Sequence, residues 1–316
     1  MSEIVRVENL KKYFATPHGI LHAVDDVSFS IEKGKTLGVV GESGCGKSTL
    51  GRTILKLHEP TDGKIYFEGE DITGFKPKQM KVKRQEMQII FQDPFASLNP
   101  RMTVSETIAE SLLIQKLVNK RDRKAIDDKV REYMDLVGIA PRLINSYPHE
   151  LDGGRRQRVG IARVLALNPK FIVCDEPVSA LDVSIRAQVL NLMQDLQDKF
   201  GFTYLFITHD LSVVKHISDD IIVMYLGKIV EKAPAKKLFA NPVHPYTKAL
   251  LSAIPVPDPD FKAKRILLEG ELTSPIDPEP GCRFAKRCPY ATEKCKAGDI
   301  PLREVEEGHT AACVLA

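Results

Sequence analysis

The sequence has no long apolar run, no secretory pattern and almost no net charge. The longest apolar stretches, such as residues 221–226, are strand-sized and fall far short of the ~18 residues of a membrane span. The opening MSEIVRVENL lacks a basic, then apolar, then small-residue order, so we expect a cytosolic protein that reaches a membrane only through partners. The 45 Lys and Arg residues against 42 Asp and Glu residues give +3, which is too little to favour nucleic acid as a partner.

The chain does have an ordinary globular composition and the length of about two domains. Its 316 residues are 43% hydrophobic and 28% charged, which excludes disordered and fibrous classes. Apolar alternation over residues 4–31 predicts antiparallel strands. Farther on, strand-like and helix-like stretches alternate, which predicts an α/β fold with a parallel sheet covered on both faces. The predicted strands are residues 37–40, 87–91, 171–174 and 204–208 and a pair around Gly227, and helical character is predicted for residues 49–57, 103–163, 183–200 and 245–254 and after Asp210.

A glycine-rich motif follows the first short strand. Residues 41–48 match G-x-x-x-x-G-K-[ST] without a mismatch, between a predicted strand and a predicted helix, which is the context of a phosphate-binding loop. Glycines let backbone N–H groups turn toward phosphate oxygens, and the helix N-terminus favours the anion. We expect Lys47 to reach the β- and γ-phosphates and Ser48 to bind Mg²⁺. The predicted nucleotide-binding residues of this segment are Gly41, Glu42, Ser43, Gly44, Cys45, Gly46, Lys47, Ser48 and Thr49, and Cys45 is assigned no chemistry.

A second apolar strand, residues 171–174, ends in two carboxylates. A buried strand would deliver Asp175 to Mg²⁺, and Glu176 would polarise a water molecule for in-line attack on the γ-phosphate. An acidic strand end in solvent is the alternative for this pair taken alone. A phosphate-binding loop in the same chain favours the catalytic interpretation, and Cys174 is interpreted as a small core residue.

With these motifs in order, the chain resembles the ATPase subunits of ABC transporters over nearly its whole length. Residues 151–158, LDGGRRQR, are similar to the family's signature, and residues 179–182 are similar to its D-loop. Gln92 matches the Q-loop and His209 the switch histidine. Tyr13 lies where the family has its adenine-stacking aromatic residue, with the neighbouring Phe14 as the alternative.

The resemblance implies roles for these residues. Lys47, Gln92, Glu176 and His209 are expected to be catalytic, and Ser48, Gln92 and Asp175 are expected to bind Mg²⁺. The signature residues that would contact nucleotide are Asp152, Gly153 and Gly154.

The resemblance also implies a domain plan and an assembly. Residues 1–254 would form an ABC-type ATPase domain of the P-loop class, with an antiparallel β subdomain and a helical subdomain at about residues 100–165. Two such domains pack head to tail, so that the signature of one caps the ATP of the other, and hydrolysis lets the dimer open. That opening is passed to two membrane permease subunits, for which residues 93–101 are a stiff, proline-bounded contact. The chain is thus expected to be peripheral to the cytoplasmic face of a membrane and to serve an extracytoplasmic substrate-binding protein.

The C-terminal part narrows the family. Residues 241–247, 281–284 and 287–290 are similar to ATPase subunits of dipeptide and oligopeptide importers. That family also includes importers of nickel and of oligosaccharides, which remain alternatives because the ATPase subunit does not contact the cargo. A soluble ABC ATPase that acts on nucleic acid or ribosomes is less favoured, because such proteins usually have two cassettes or a basic insertion. A module that holds ATP without turnover is disfavoured by Gln92, Glu176 and His209.

Residues 255–316 are predicted to be a proline-rich linker followed by a small cysteine-rich module. Cys282, Cys288, Cys295 and Cys313 form a C-x5-C-x6-C-x17-C pattern, which lacks the tight pairs of structural zinc sites. Spacing alone leaves zinc, an iron–sulfur cluster and free thiols open, and His309 could replace one ligand. The resemblance to importer ATPases implies a [4Fe–4S] cluster, which would staple a segment that has little core of its own.

One signature residue departs from the family. The usual signature is Leu-Ser-Gly-Gly-Gln, whereas this chain has Asp152 in place of the serine and Arg155 in place of the glutamine. An ionised Asp only accepts hydrogen bonds, so it cannot donate one to a γ-phosphate, and its charge is unfavourable there. Arg155 would offset part of this charge. We therefore expect a heterodimer with a second, different ATPase subunit, in which the ATP facing Asp152 turns over slowly.

Overall fold

The computed structural model describes residues 2–93, 97–254, 265–268, 270 and 274–316. The chain forms two compact units, Met1–Gly74 with Leu205–Ala316, and Phe75–Tyr204. No helix within the described ranges is both long and apolar enough to cross a membrane.

The first unit begins with an antiparallel sheet, as the alternation of residues 4–31 predicts. Its strands are β1 (Glu3–Thr16), β2 (Gly19–Glu32), β4 (Asp62–Phe67) and β5 (Glu70–Asp71), in the order β2-β1-β4-β5. Val5 and Val7 of β1 are buried because alternate side chains of a strand face the same side, and Leu10 is buried after an irregularity between Val7 and Leu10 shifts the register. The antiparallel prediction is confirmed.

A second sheet of the same unit is mixed rather than parallel. Strand β3 (Thr36–Val40) pairs in parallel with β9 (Asp220–Tyr225), and β8 (Thr203–Ile207) is the other neighbour of β3. The predicted strand pair around Gly227 is confirmed as β9 and the antiparallel β10 (Lys228–Pro234). Two short strands near the C-terminus, β11 (Arg303–Glu306) and β12 (His309–Ala311), extend the sheet beyond β10. The predicted parallel pairing is present at β3 and β9, and the sheet is extended by antiparallel strands at this edge, because tight hairpins join antiparallel strands where no helix crosses over.

The described part of the first unit contains the α-helices α1 (Lys47–Ile54), α7 (Leu211–Ile217), α8 (Ala235–Ala240) and α9 (Pro245–Ser252). Helix α1 follows β3 directly, as the phosphate-loop motif requires, and it begins two residues earlier than predicted. Helix α9 has His244 as its N-cap and begins at Pro245. The first helical position is favourable for proline, because its missing N–H would have no partner within the helix.

Within its described residues, the second unit has a two-stranded parallel ladder and five α-helices. Strand β6 (Met87–Ile90) pairs with β7 (Phe171–Asp175). The helices are α2 (Pro77–Glu86), α3 (Val104–Ile114), α4 (Arg123–Leu136), α5 (Gly153–Leu165) and α6 (Val183–Phe200). Helices α3 and α4 lie within the range predicted to be helical, residues 103–163, and α5 ends two residues beyond it. A capping box of Thr103 and Glu106 begins α3.

The cysteine-rich segment is irregular apart from short elements. Single 3₁₀ turns cover Ala285–Arg287 and Glu293–Cys295. The predicted domain boundary at residues 254/255 borders residues 255–264 of the proline-rich linker, which lie outside the described residues. Residues 94–96 of the predicted membrane-subunit contact also lie outside them. The two-domain division at this boundary stays a prediction.

Candidate functional site

The phosphate loop of the first unit is built around its lysine. Lys47 is 4% exposed, and its ammonium donates to the carbonyl oxygens of Gly41 at 2.8 Å and Glu42 at 2.9 Å. Gly46 has a φ of 104°, and a Cβ there would lie 1.9 Å from the Ala23 carbonyl oxygen, so only glycine fits. Gly46 is also the N-cap of α1, and it has no side chain that could accept from the first N–H groups of that helix. The loop therefore places a cation beside a helix N-terminus, which suits a phosphate group.

Two loop side chains are fixed in other ways. Cys45 is buried, and burial raises the pKa of its thiol, so it remains a neutral packing group. The Glu42 N–H donates to the Tyr246 hydroxyl at 2.8 Å, and the Glu42 carboxylate accepts from the Arg287 guanidinium at 2.7 and 3.3 Å. The hydrogen bond to Glu42 is the main reason that the pKa of Arg287 is raised. Sequence reasoning singled out the segments of Tyr246 and Arg287 but gave neither residue a role.

The predicted adenine-stacking residue, Tyr13, lies in a polar cluster. Its ring stacks on His22 with centroids 3.9 Å apart, and its hydroxyl donates to Asp25, which also accepts from Arg283. Burial and the neighbouring carboxylate raise the pKa of Tyr13. The next residue, Phe14, makes an edge contact with His58 instead, 5.6 Å between centroids. Adenine stacking by Tyr13, with Phe14 as the alternative, stays a prediction.

In the second unit, two predicted catalytic residues touch. The register pairs Ile90 of β6 with Cys174 of β7, so the residues that follow these strands emerge side by side. Gln92 Nε2 donates to Glu176 Oε2 at 2.9 Å. Glu176 has a φ of 48°, a conformation that costs a non-glycine residue energy and is concentrated at functional sites. Asp175, at the end of β7, is 1% exposed.

The signature segment forms the N-terminus of α5. Asp152 is its N-cap and accepts the Arg155 N–H at 2.8 Å, while its other carboxylate oxygen lies 3.3 Å from the Arg155 guanidinium. Both side chains are at least half exposed, so this ion pair stabilises the helix only weakly. A Cβ on Gly154 would lie 2.4 Å from Ile185 Cγ2 of α6, which explains a glycine at that position.

The other predicted nucleotide residues occupy the ends of strands and helices. His209 is exposed and comes just after β8, in the first unit with Lys47 and Ser48. In the second unit, the D-loop residue Ser179 donates to the Glu176 carbonyl oxygen at 3.0 Å, and Asp182 caps α6. Gln92, Asp175, Glu176 and the signature glycines thus belong to the second unit.

Two of the four C-terminal cysteine sulfurs accept a backbone N–H. Thr292 donates to Cys295 at 3.4 Å, and Leu315 donates to Cys313 at 3.5 Å. Burial, with smaller contributions from the other three thiols, raises the pKa of Cys282 to about 11. Across the described residues, no three His, Cys, Asp or Glu side chains gather tightly enough to hold a single metal ion. The cysteines are all free thiols.

His309, the alternative fourth ligand, is engaged elsewhere. It is fully buried, and its Nε2 lies 2.7 Å from a carboxylate oxygen of Glu231. The same carboxylate accepts the N–H groups of Val243 and His244. His309 therefore links β12 to β10 and the start of α9.

Comparisons with known proteins agree with this arrangement. Residues 24–179 match the ABC transporter family, and residues 230–295 match the C-terminal region of oligopeptide/dipeptide transporters. The oligopeptide transport ATP-binding proteins AppF and OppF of Bacillus subtilis are 50% and 51% identical to this chain, over 99% of it and 97% of theirs.

Solved structures show the same fold. The dimeric ATP-binding cassette MJ0796 bound to ADP and Pi superposes with a TM-score of 0.67 at 28% identity, covering 73% of this chain and 99% of that one. The cbiO1 protein of Clostridium perfringens, part of the transporter complex cbiONQ, superposes with a TM-score of 0.67 at 28% identity. The match covers 76% of this chain and 92% of the cbiO1 chain. The chain therefore belongs to the ATPase subunits of ABC transporters, and to the branch that carries the oligopeptide/dipeptide transporter C-terminal region.

Proposed function

We propose that this chain hydrolyses ATP to drive an importer of di- or oligopeptides. The observation that carries the proposal is the C-terminal region of oligopeptide/dipeptide transporters, present together with relatives at about half identity that are named for oligopeptide transport. Nothing in the described residues favours nickel, oligosaccharides or a role outside transport.

The residues divide the work of hydrolysis. Lys47 and the N–H groups at the start of α1 bind the β- and γ-phosphates, and the buried position of Lys47 keeps its charge directed into the loop. Ser48, Asp175 and Gln92 are the proposed ligands of Mg²⁺, which neutralises charge on the phosphate oxygens when bound. Glu176 accepts the proton of the attacking water, and the amide of Gln92 fixes the orientation of its carboxylate. His209 is proposed to hold the leaving γ-phosphate through a charge-assisted hydrogen bond.

The assembly that fits this role has several partners. We propose a head-to-tail dimer with a second ATPase subunit, docked on two membrane permease subunits at the cytoplasmic face and supplied by an extracytoplasmic substrate-binding protein. Residues 93–101 are the proposed contact with the permeases. The partner's signature would cover the ATP bound at the N-terminus of α1, and the signature at the start of α5 would cover the partner's ATP.

Co-purification with the neighbouring subunits tests this function. The complex, given its binding protein, should show ATP turnover that rises several-fold with peptide and not with Ni²⁺ or oligosaccharide. If Ni²⁺ or an oligosaccharide stimulated ATP turnover and peptide did not, that compound would be the cargo and the peptide assignment would be wrong.

We propose further that the four cysteines hold a [4Fe–4S] cluster. The spacing of Cys282, Cys288, Cys295 and Cys313 lacks the tight cysteine pairs of structural zinc sites, and four thiolates suit a cubane cluster. Backbone N–H donation to Cys295 and Cys313 suits cluster ligation, because such hydrogen bonds stabilise thiolate charge and tune cluster potentials. When bound, the cluster supplies a crosslink between segments that share little apolar core.

Metal analysis decides between the two metals. Anaerobically purified protein should be brown and contain about four irons per chain, and Cys295→Ser should lose the iron while Cys174→Ser keeps it. Stoichiometric zinc without iron would overturn the cluster in favour of a zinc site.

A further inference from the structure

An acidic side chain inside the phosphate loop is neutralised from the C-terminal region. Glu42 is the second residue of the loop, and its carbonyl oxygen already accepts a hydrogen bond from the Lys47 ammonium. Its carboxylate forms a two-point ion pair with Arg287, 245 residues away in sequence, and the side chains are 25% and 11% exposed. A paired geometry at this depth is stronger and more specific than a surface contact.

The arginine is held in place by its own surroundings. Arg287 ends the 3₁₀ turn Ala285–Arg287, and its N–H donates to the Phe284 carbonyl oxygen at 2.9 Å. Phe284 is fully buried, in an edge contact with Tyr225, 5.3 Å between centroids. The Arg287 guanidinium lies 6.0 Å from the centre of the Tyr225 ring and 3.4 Å from its hydroxyl. The turn therefore presents the guanidinium at a fixed position.

A second contact from the same region fixes the loop backbone. Tyr246, on α9, is fully buried, and its hydroxyl oxygen accepts the Glu42 N–H at 2.8 Å. Tyr246 also packs against Phe284, with centroids 5.4 Å apart. Tyr246 thus holds the main chain of Glu42, and Arg287 holds its side chain. Both contacts are supported by one aromatic cluster, formed by Tyr225, Tyr246 and Phe284.

We propose that Arg287 is a positioning residue of the nucleotide site. By pairing with Glu42 it holds a carboxylate away from the anion cradle and cancels its charge, so that ATP affinity depends on the C-terminal region. Without the arginine, the freed carboxylate would repel the phosphates and compete for Lys47, because like charges repel strongly in a site with little water. The inference rests on ATP binding by the phosphate loop and is independent of the cargo.

Removing the charge of Arg287, and then also that of Glu42, tests this role in the full-length chain. Arg287→Met should weaken ATP binding about tenfold, more than it weakens ADP binding, and the loss should shrink at high salt. Adding Glu42→Gln to Arg287→Met should restore most of the affinity, because the unpaired charge is gone. A residue that only supports the fold would show no such rescue and no dependence on phosphate number.

The controls keep the outcomes separate. Lys286→Met removes the neighbouring exposed cation, which pairs with Glu279 at the surface, and should leave affinity unchanged. If Arg287→Met does not fold, Arg287→Lys keeps the charge without the fork geometry and should give a smaller loss that Glu42→Gln also reverses. Equal ATP affinity for wild type and the variants, or a loss that Glu42→Gln does not restore, overturns the proposal. Failure of the wild-type chain to bind ATP would instead contradict the proposed ATPase function.

Discussion

Glu176, the proposed general base, is distinguished by three structural features. It directly follows the buried Asp175, its backbone has a left-handed conformation, and its carboxylate is oriented by Gln92. Strain of this kind persists only where the surroundings hold it, and the amide of Gln92 and the Ser179 turn provide that support.

Glu176→Gln should bind ATP with near wild-type affinity and lose roughly 10²–10⁴-fold in turnover, because the amide cannot accept the water's proton. Steady-state ATPase measurements on the assembled complex check this. Glu132→Gln, which removes an exposed carboxylate paired with Lys129 in the same unit, is the matched control and should keep full activity. Turnover near the wild-type rate would remove Glu176 from the base role.

Residue-scale prediction from the sequence is strongest where the chemistry is local. The phosphate loop and the carboxylate strand end are contiguous motifs, so residue type and spacing were enough to place Lys47 at a strand-to-helix turn and Glu176 directly after a strand. The sequence could not predict the contact of Arg287 with Glu42, because an ion pair across 245 residues depends on tertiary packing. The only signal was indirect: Arg283 and Arg287 stand next to Cys282 and Cys288, in a segment already marked by the family resemblance.

At the scale of elements, caps decide where several helices begin and end. Helix α6 has the bounds that were predicted, because Asp182 caps its start and Gly201, with a φ of 71°, ends it. Strands β11 and β12 were not predicted, since each is short and depends on distant pairing: β12 pairs with β10, and β11 pairs with β12. Helix α9 has an unusual cap: the neutral Nδ1 of His244 accepts the Tyr246 N–H at 3.2 Å.

That cap should make stability depend on pH. Burial lowers the pKa of His244 from 6.5 to about 4, so below pH 6.5 the unfolded chain binds a proton that the folded chain resists. Stability contributed by the neutral histidine is therefore present above pH 6.5 and lost as pH falls toward 4, by up to about 3 kcal/mol.

His244→Asn isolates this contribution, because asparagine can cap a helix without titrating. Denaturant unfolding at pH 7 and pH 5 should show a smaller loss of stability for the variant than for wild type. Glu231 and His309, which pack against this turn, are present in both proteins and cancel in the comparison. Equal losses for both proteins would contradict the role of His244.

At the scale of the whole molecule, the signature predicts asymmetry. Asp152 caps its own helix and pairs with Arg155, which offsets part of its charge but supplies no hydroxyl donor for a γ-phosphate. In a heterodimer, the ATP bound by this chain meets the partner's signature, whereas the partner's ATP meets Asp152.

Glu-to-Gln changes at the catalytic position, made in one subunit at a time, should therefore have unequal effects. Glu176→Gln in this chain should remove most of the turnover, and the equivalent change in the partner should remove much less. The isolated chain should be a weak ATPase that Asp152→Ser improves. Equal losses for the two subunits, or robust turnover by this chain alone, would contradict the asymmetry.

ATP-dependent peptide uptake tests the central claim most directly. The complex of this chain, its partner ATPase and the permeases is placed in proteoliposomes, with the binding protein and a labelled oligopeptide on the outside and ATP inside. We predict uptake that requires ATP and is abolished by Glu176→Gln in this chain, with the peptide still bound by the binding protein. Uptake that continues at the wild-type rate with Glu176→Gln, or ATP hydrolysis with no peptide movement, would contradict the account.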